Sequence, residues 1–140
     1  MKKKLRLMMT MLLLAVMGNV CGQTTTATDV LNRLVTGASG TNYDDWGYTF
    51  NSGAVYKGNS AGTYGSIQLR AASNSGIVCT TSPGKVKKVT VVWNANTTSG
   101  RTLDVYGKNT AYSAPSDLYG SANKGEKLGS MTYNVNPSTT

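Results

Sequence analysis

Residues 86–94 read Val86-Lys87-Lys88-Val89-Thr90-Val91-Val92-Trp93-Asn94, and their alternation decides the fold class. With a period of two, Val89, Val91 and Trp93 fall on one face and Lys88, Thr90, Val92 and Asn94 on the other, as in a strand with one side on a core. β-Branched residues suit a pleated, half-buried surface, so the stretch is expected to be a central strand with Trp93 in the core. Upstream, Gly76-Ile77-Val78-Cys79-Thr80 is apolar on both faces and is expected to lie deeper, and Ser66-Ile67-Gln68-Leu69-Arg70 alternates like a strand with one buried face. Downstream, the polar run 95–100 reads as a hairpin loop leading into residues 101–107, with Leu103 and Val105 inward. The last visible strand is 128–135, with Met131, Tyr133 and Val135 on one face. Only residues 29–35 read as helix: Val30, Leu31, Leu34 and Val35 share a face, Thr28 or Asp29 caps the start, and Gly37 ends it.

Short antiparallel strands with little helix predict an all-β fold, an antiparallel β-sandwich of jelly-roll type. Residues 136–140 (Asn136-Pro137-Ser138-Thr139-Thr140) form a turn-like tail directly after a strand, which leaves a sheet edge unpaired. The sandwich is therefore expected to lack its closing strands.

The N-terminus has a separate logic. Lys2, Lys3, Lys4 and Arg6 precede an apolar stretch, 7–17, broken only by Thr10. This is the basic and apolar layout of a signal-peptide helix, too short for the roughly 20 residues that span a bilayer. Val20 and Gly22 offer small side chains for cleavage before Gln23, so residues 1–22 are read as a signal peptide and 23–140 as one domain. A lipoprotein acylated at Cys21 is the less favoured alternative, because Val20 and Gly18 reverse the usual order of small and aliphatic residues. The expected destination is outside the cell, secreted or at the cell surface, with no membrane span.

Removing this segment takes four of the fourteen basic residues and none of the six acidic ones, so the net charge falls from +8 to about +4. That is too mild for a nucleic-acid binder. Cys79 is the one cysteine left, so no disulfide can form within the domain, and its apolar neighbours make it a buried small hydrophobe. The chain contains no histidine. Ser-His-Asp and Cys-His activation and His-ligated metal sites are thereby removed, and only an all-carboxylate mechanism remains easy to draw.

Asp29, Asp44, Asp45, Asp104, Asp117 and Glu126 include no pair that spacing singles out as a glycosidase couple, and Asp104 is expected to face solvent. Asp44-Asp45 with Asn42 has the oxygens of a calcium site but reads better as a solvated turn. The run 58–66 is glycine-rich but lacks the lysine and helix of a phosphate cradle, so it is read as a flexible loop. Lys85, Lys87 and Lys88 are read as guards against edge aggregation. No catalytic residue, metal or cofactor is expected.

The run 75–112, including Ser75-Gly76-Ile77-Val78-Cys79-Thr80-Thr81 and Ser99-Gly100-Arg101-Thr102-Leu103-Asp104-Val105-Tyr106-Gly107, resembles a group of largely uncharacterised β-sandwich modules in secreted proteins of gut-dwelling Bacteroidetes. The resemblance extends over residues 29–135. It implies a jelly-roll or galactose-binding-like sandwich, a fold often used to bind carbohydrate. Cys79 stands where threonine is more usual in that group, and the two further strands with which its members continue have no counterpart here.

Aromatic rings can cover the C–H face of a sugar while Asn, Ser and Thr bond its hydroxyls. Trp46, Tyr48, Tyr56, Tyr64, Tyr106, Tyr112 and Tyr119 are the aromatic candidates, and the expected ligand site uses Trp46, Arg70, Tyr106 and Tyr112. The function expected is a non-catalytic binding module for an extracellular glycan or glycan-coated surface. The alternatives are a structural or adhesin-like domain that contacts a surface protein, and third, a carboxylate-dependent glycosidase.

Overall fold

The computed structural model describes residues 26–135. The expected signal peptide, 1–22, and the tail, 136–140, lie outside the described residues.

Among the described residues, five strands build two antiparallel sheets. β1 (Gly40–Thr49), β2 (Val55–Gly62) and β3 (Gly76–Thr81) form one sheet with β2 in the middle. β4 (Arg101–Gly107) and β5 (Glu126–Tyr133) form the other. With one four-residue α-helix among the described residues, α1 (Arg33–Thr36), the fold is all-β and antiparallel, as the strand alternation predicts. None of the helices among the described residues is long and apolar enough to cross a membrane.

β2 is central because its residues are small. Gly58, Asn59, Ser60, Ala61 and Gly62 are all buried, and Ala61 is 0% exposed. Across the ladder Trp46 faces Gly58, and a Cβ on Gly58 would fall inside the Trp46 ring. The indole Nε1 donates to the Ser60 hydroxyl at 2.9 Å. Gly62 likewise admits the backbone of Ala38, whose carbonyl occupies the place of a Cβ. The expected flexible loop over 58–66 is therefore corrected: its first half is the most buried strand of the molecule, and a composition that reads as a loop here permits close approach. Asp44 and Asp45 sit in β1 and not in a turn, where the Asn59 side-chain amide donates to Asp45 at 2.7 Å.

α1 is shorter than its apolar pattern predicts. Its cap is Asn32, whose side chain accepts from the Val35 amide at 3.1 Å, and Gly37 closes it in the left-handed conformation at φ 67°. Val30 and Leu34 remain exposed, so the predicted apolar face is not buried. Residues 66–70 contribute one bridge, Gln68 to Ala61, in place of a full strand, with Ile67 and Leu69 half-buried.

The main correction concerns residues 86–94, which join neither sheet. The turn 94–100 is closed by its own bonds, with Thr97 donating to the Asn94 carbonyl at 2.9 Å, and is tied to the end of β5: Gly100 donates to the Tyr133 carbonyl at 2.7 Å, and Val135, just past β5, donates to the Ser99 hydroxyl at 3.3 Å. β4 accordingly pairs with β5, residue 101 opposite 133, and the preceding segment is not folded back along it. Val86, Val89 and Val92 are exposed, and Trp93 is half-buried beside Tyr133, ring centroids 5.6 Å apart.

The sheets are linked by a 3₁₀ turn at Pro115–Tyr119, which rests on the start of β3. The Tyr119 hydroxyl donates to the Ser75 carbonyl at 2.6 Å, and the Leu118 side chain fills the space left by Gly76. Across the second sheet, Asp104 pairs with Lys127 at 2.9 Å, and this ammonium, with the Ser130 hydroxyl, holds the exposed carboxyl below its ordinary value.

Gly58→Ala is expected to destabilise the fold by about 2 kcal/mol, the usual cost of forcing volume into a packed site. Gly47→Ala, whose added methyl would meet only ordinary contact with the Tyr56 carbonyl, should change stability by less than about 0.5 kcal/mol. Urea unfolding of both variants measures the contrast, and equal midpoints would refute the close-packing account.

Candidate functional site: an aromatic cleft at the first hairpin

β1 and β2 are joined by Asn51-Ser52-Gly53. Phe50 donates to the Ala54 carbonyl and Gly53 to the Phe50 carbonyl, both at 2.9 Å, and Gly53 takes φ 87°, the left-handed third position of a three-residue hairpin loop. The Ser52 hydroxyl accepts from the Ala54 amide at 3.1 Å and so holds the turn from within.

This hairpin gathers three rings. Tyr48 and Tyr56 are cross-strand partners, and Phe50 meets both edge-on, with centroids 4.8 Å from Tyr48 and 5.5 Å from Tyr56. Edge-to-face aromatic pairs add about 0.5–1.5 kcal/mol each beyond their area, enough to fix ring orientation. The segment before α1 passes alongside. Asp29 Oδ2 accepts from the Ser52 hydroxyl at 3.0 Å and from the Tyr56 hydroxyl at 3.3 Å. Ala27, Thr28, Asp29, Tyr48, Phe50, Asn51 and Ser52 enclose a cleft of about 380 Å³.

The polar groups of the cleft are positioned by one another. Both internal bonds to Asp29 use Oδ2, which leaves Oδ1 to accept from a ligand hydroxyl or amide. Tyr48 is 40% exposed, and Asn51 adds an amide. The Tyr56 hydroxyl is pushed up to about 12, first by burial and then by the negative charge it would meet at Cys79 and Asp29. It stays protonated across ordinary pH and donates to the carboxylate. Cys79 lies behind it, half-buried, its thiol also pushed up by burial and donating to the Thr81 carbonyl at 3.0 Å.

The four residues expected to bind ligand are distributed differently. Trp46 is packed on Gly58 and bonded to Ser60, which makes it part of the sheet's own packing. The Arg70 guanidinium lies 4.0 Å from the Tyr43 ring centroid. Tyr106 and Tyr112 come together around Lys124: its ammonium is 5.5 Å from the Tyr106 ring, and its carbonyl accepts from the Tyr112 hydroxyl at 2.8 Å. Lys108 covers the Tyr112 ring at 4.3 Å, and burial followed by the charge of Asp117 pushes the Tyr112 hydroxyl up. Two cations thus already occupy these ring faces. Sequence reasoning passed over Asp29, Phe50, Asn51 and Ser52 as site residues. The available signal was the Asn-Ser-Gly run between two aromatic stretches, which marks a short hairpin.

Among the described residues no group of three His, Cys, Asp or Glu side chains is close enough to hold a metal ion. Comparison of the chain with protein-family models, curated proteins and solved structures finds no match.

In a spectrophotometric titration one tyrosine should ionise near pH 12 and be lost in Tyr56→Phe. Asp29→Ala should bring that value only partway down, because burial is the larger cause. The raised value means that this tyrosine contributes stability below its ordinary value of 10.0 and loses it as pH rises toward 12. A titration without such a high step would contradict the burial of Tyr56, and an Asp29→Ala variant with an unchanged step would contradict the Asp29–Tyr56 contact.

Proposed function

We propose that the protein is an exported, non-catalytic glycan-binding module on a jelly-roll-type sandwich, and that its site is the cleft between the 27–29 segment and the first hairpin. The observation that carries this reading is the convergence of two aromatic rings, one carboxylate and one amide on a space of about 380 Å³. That volume falls in the usual range for small-molecule sites, roughly 300–1,000 Å³. The aromatic ring of Tyr48 suits the C–H side of a pyranose, and Asp29 Oδ1 and the Asn51 amide suit its hydroxyls. Asp29 is the one carboxylate in the lining, whereas glycoside hydrolysis commonly uses two, so binding is favoured over cleavage. Resemblance to secreted β-sandwich modules of gut Bacteroidetes agrees with this reading, and the cleft replaces Trp46, Arg70, Tyr106 and Tyr112 as its proposed site.

A glycan-array screen of the purified chain should find a saccharide ligand. Tyr48→Ala and Asp29→Asn should each weaken it about tenfold, the loss of roughly one aromatic contact or one hydrogen bond to a charged group. Tyr106→Phe should leave affinity unchanged. A folded protein that binds no glycan, or whose binding survives Tyr48→Ala, sinks the proposal.

A further inference from the structure

Residues 85–93 carry no helix, strand or turn, and no backbone hydrogen bond joins them to any other described residue. Nine consecutive residues therefore leave their N–H and C=O groups without a backbone partner among the described residues, in a sequence of high β-propensity. The segment is held at its far end. Trp93 packs beside Tyr133, and the Asn94 side-chain amide donates to the Tyr64 carbonyl at 3.1 Å. Val86, Val89 and Val92 are exposed, Val92 at 90%. The combination of an anchored end, an apolar half and unpartnered backbone groups is a template for an added strand.

Charge identifies the occupant. Lys85, Lys87 and Lys88 are exposed, and the one ion pair among the described residues is Lys127 with Asp104, so no carboxylate answers these three. The same segment of a second copy would supply none either, since residues 85–94 contain no carboxylate. Paired in parallel and in register, lysine meets lysine. Paired antiparallel so that lysines avoid one another, with 85 opposite 94, they face Asn94, Val92 and Val91. Like charges opposite each other destabilise a ladder and opposite charges support it.

We propose that residues 85–93 are a docking strand for an extended segment of another protein, apolar in the half that covers Val89–Trp93 and acidic in the half that covers Lys85–Lys88. The backbone ladder supplies affinity, and the three lysines set register and exclude basic or neutral strands. On this account the lysines select a partner, a role beyond guarding an edge.

The test uses the purified chain and a labelled ten-residue peptide, TVTVTVEEVE, whose glutamates fall opposite the three lysines in an antiparallel ladder. Fluorescence anisotropy should show saturable binding that weakens about tenfold when Lys85, Lys87 and Lys88 are all changed to glutamate, the sum of three exposed ion pairs. The same variant should gain affinity for TVTVTVKKVK. A TVTVTVEEVE peptide N-methylated at every residue, which blocks both of its edges, should not bind, which separates strand pairing from charge attraction alone. No binding up to about 1 mM, equal binding of the two peptides by the wild-type protein, or undiminished binding of the N-methylated peptide would overturn the proposal. So would sedimentation of the protein alone as a dimer that Val92→Lys dissolves, because a second copy would then occupy the strand. The glycan cleft uses none of residues 85–93, and a failure to bind glycan leaves these outcomes unchanged.

Discussion

The contact of the Trp46 ring with the bare backbone of Gly58 governs the first sheet. A large indole can lie flat on a neighbouring strand only where that strand has no side chain, and its N–H must find an acceptor once covered. β2 meets both needs, with glycine at 58 and a hydroxyl at 60. This fixes the register of β1 on β2. The same register sets Tyr48 opposite Tyr56 and closes the hairpin at Asn51-Ser52-Gly53. A shift of one residue would turn Trp46 to the other face of the sheet and separate the two tyrosines.

From that register the cleft follows. Phe50 meets both tyrosines at the hairpin, and Ser52 in the turn reaches back to Asp29. The carboxylate fastens the incoming chain to the hairpin and stands at the edge of the aromatic surface. Its internal bonds are made through one oxygen, so structural and binding roles need not compete. Preorganisation of this kind lowers the entropy that a weak ligand must overcome.

Much of this was legible in the sequence, and the failures have identifiable causes. β4 matches the reading of 101–107 at both ends, β3 extends one residue past 76–80, and β5 overlaps the reading of 128–135. In each, alternation is supported by β-branched or aromatic residues. β1 and β2 were missed because Gly, Asn, Ser and Asp dominate them, and turn-forming composition masks a strand whose stability comes from Trp46 packing and not from propensity. Residues 86–94 failed in the opposite sense. Their alternation is the clearest in the chain, but a strand exists only when another strand supplies its hydrogen bonds, and alternation carries no information about whether one is present. Trp46 was singled out as a binder because its ring stands among polar residues, whereas the glycine twelve positions later determines what that ring touches.

The described core is thin. Its buried apolar residues are two alanines and one valine, Ala54, Ala61 and Val78, whereas three valines, Val86, Val89 and Val92, stay in water. Burying one such valine contributes roughly 1.5–3 kcal/mol, comparable to a substantial part of a domain's net stability of about 5–15 kcal/mol. A strand laid along residues 85–93 would cover valines on the face it packs against and satisfy backbone groups that now face solvent. Anything that pairs with this segment only in the folded state must also stabilise that state by mass action, by about 2.7 kcal/mol at a concentration one hundred times its dissociation constant. Partner docking and folding stability are then two readings of one interaction. The lysines at its start decide which strands can take part, and the tryptophan at its end holds the segment where they can reach it.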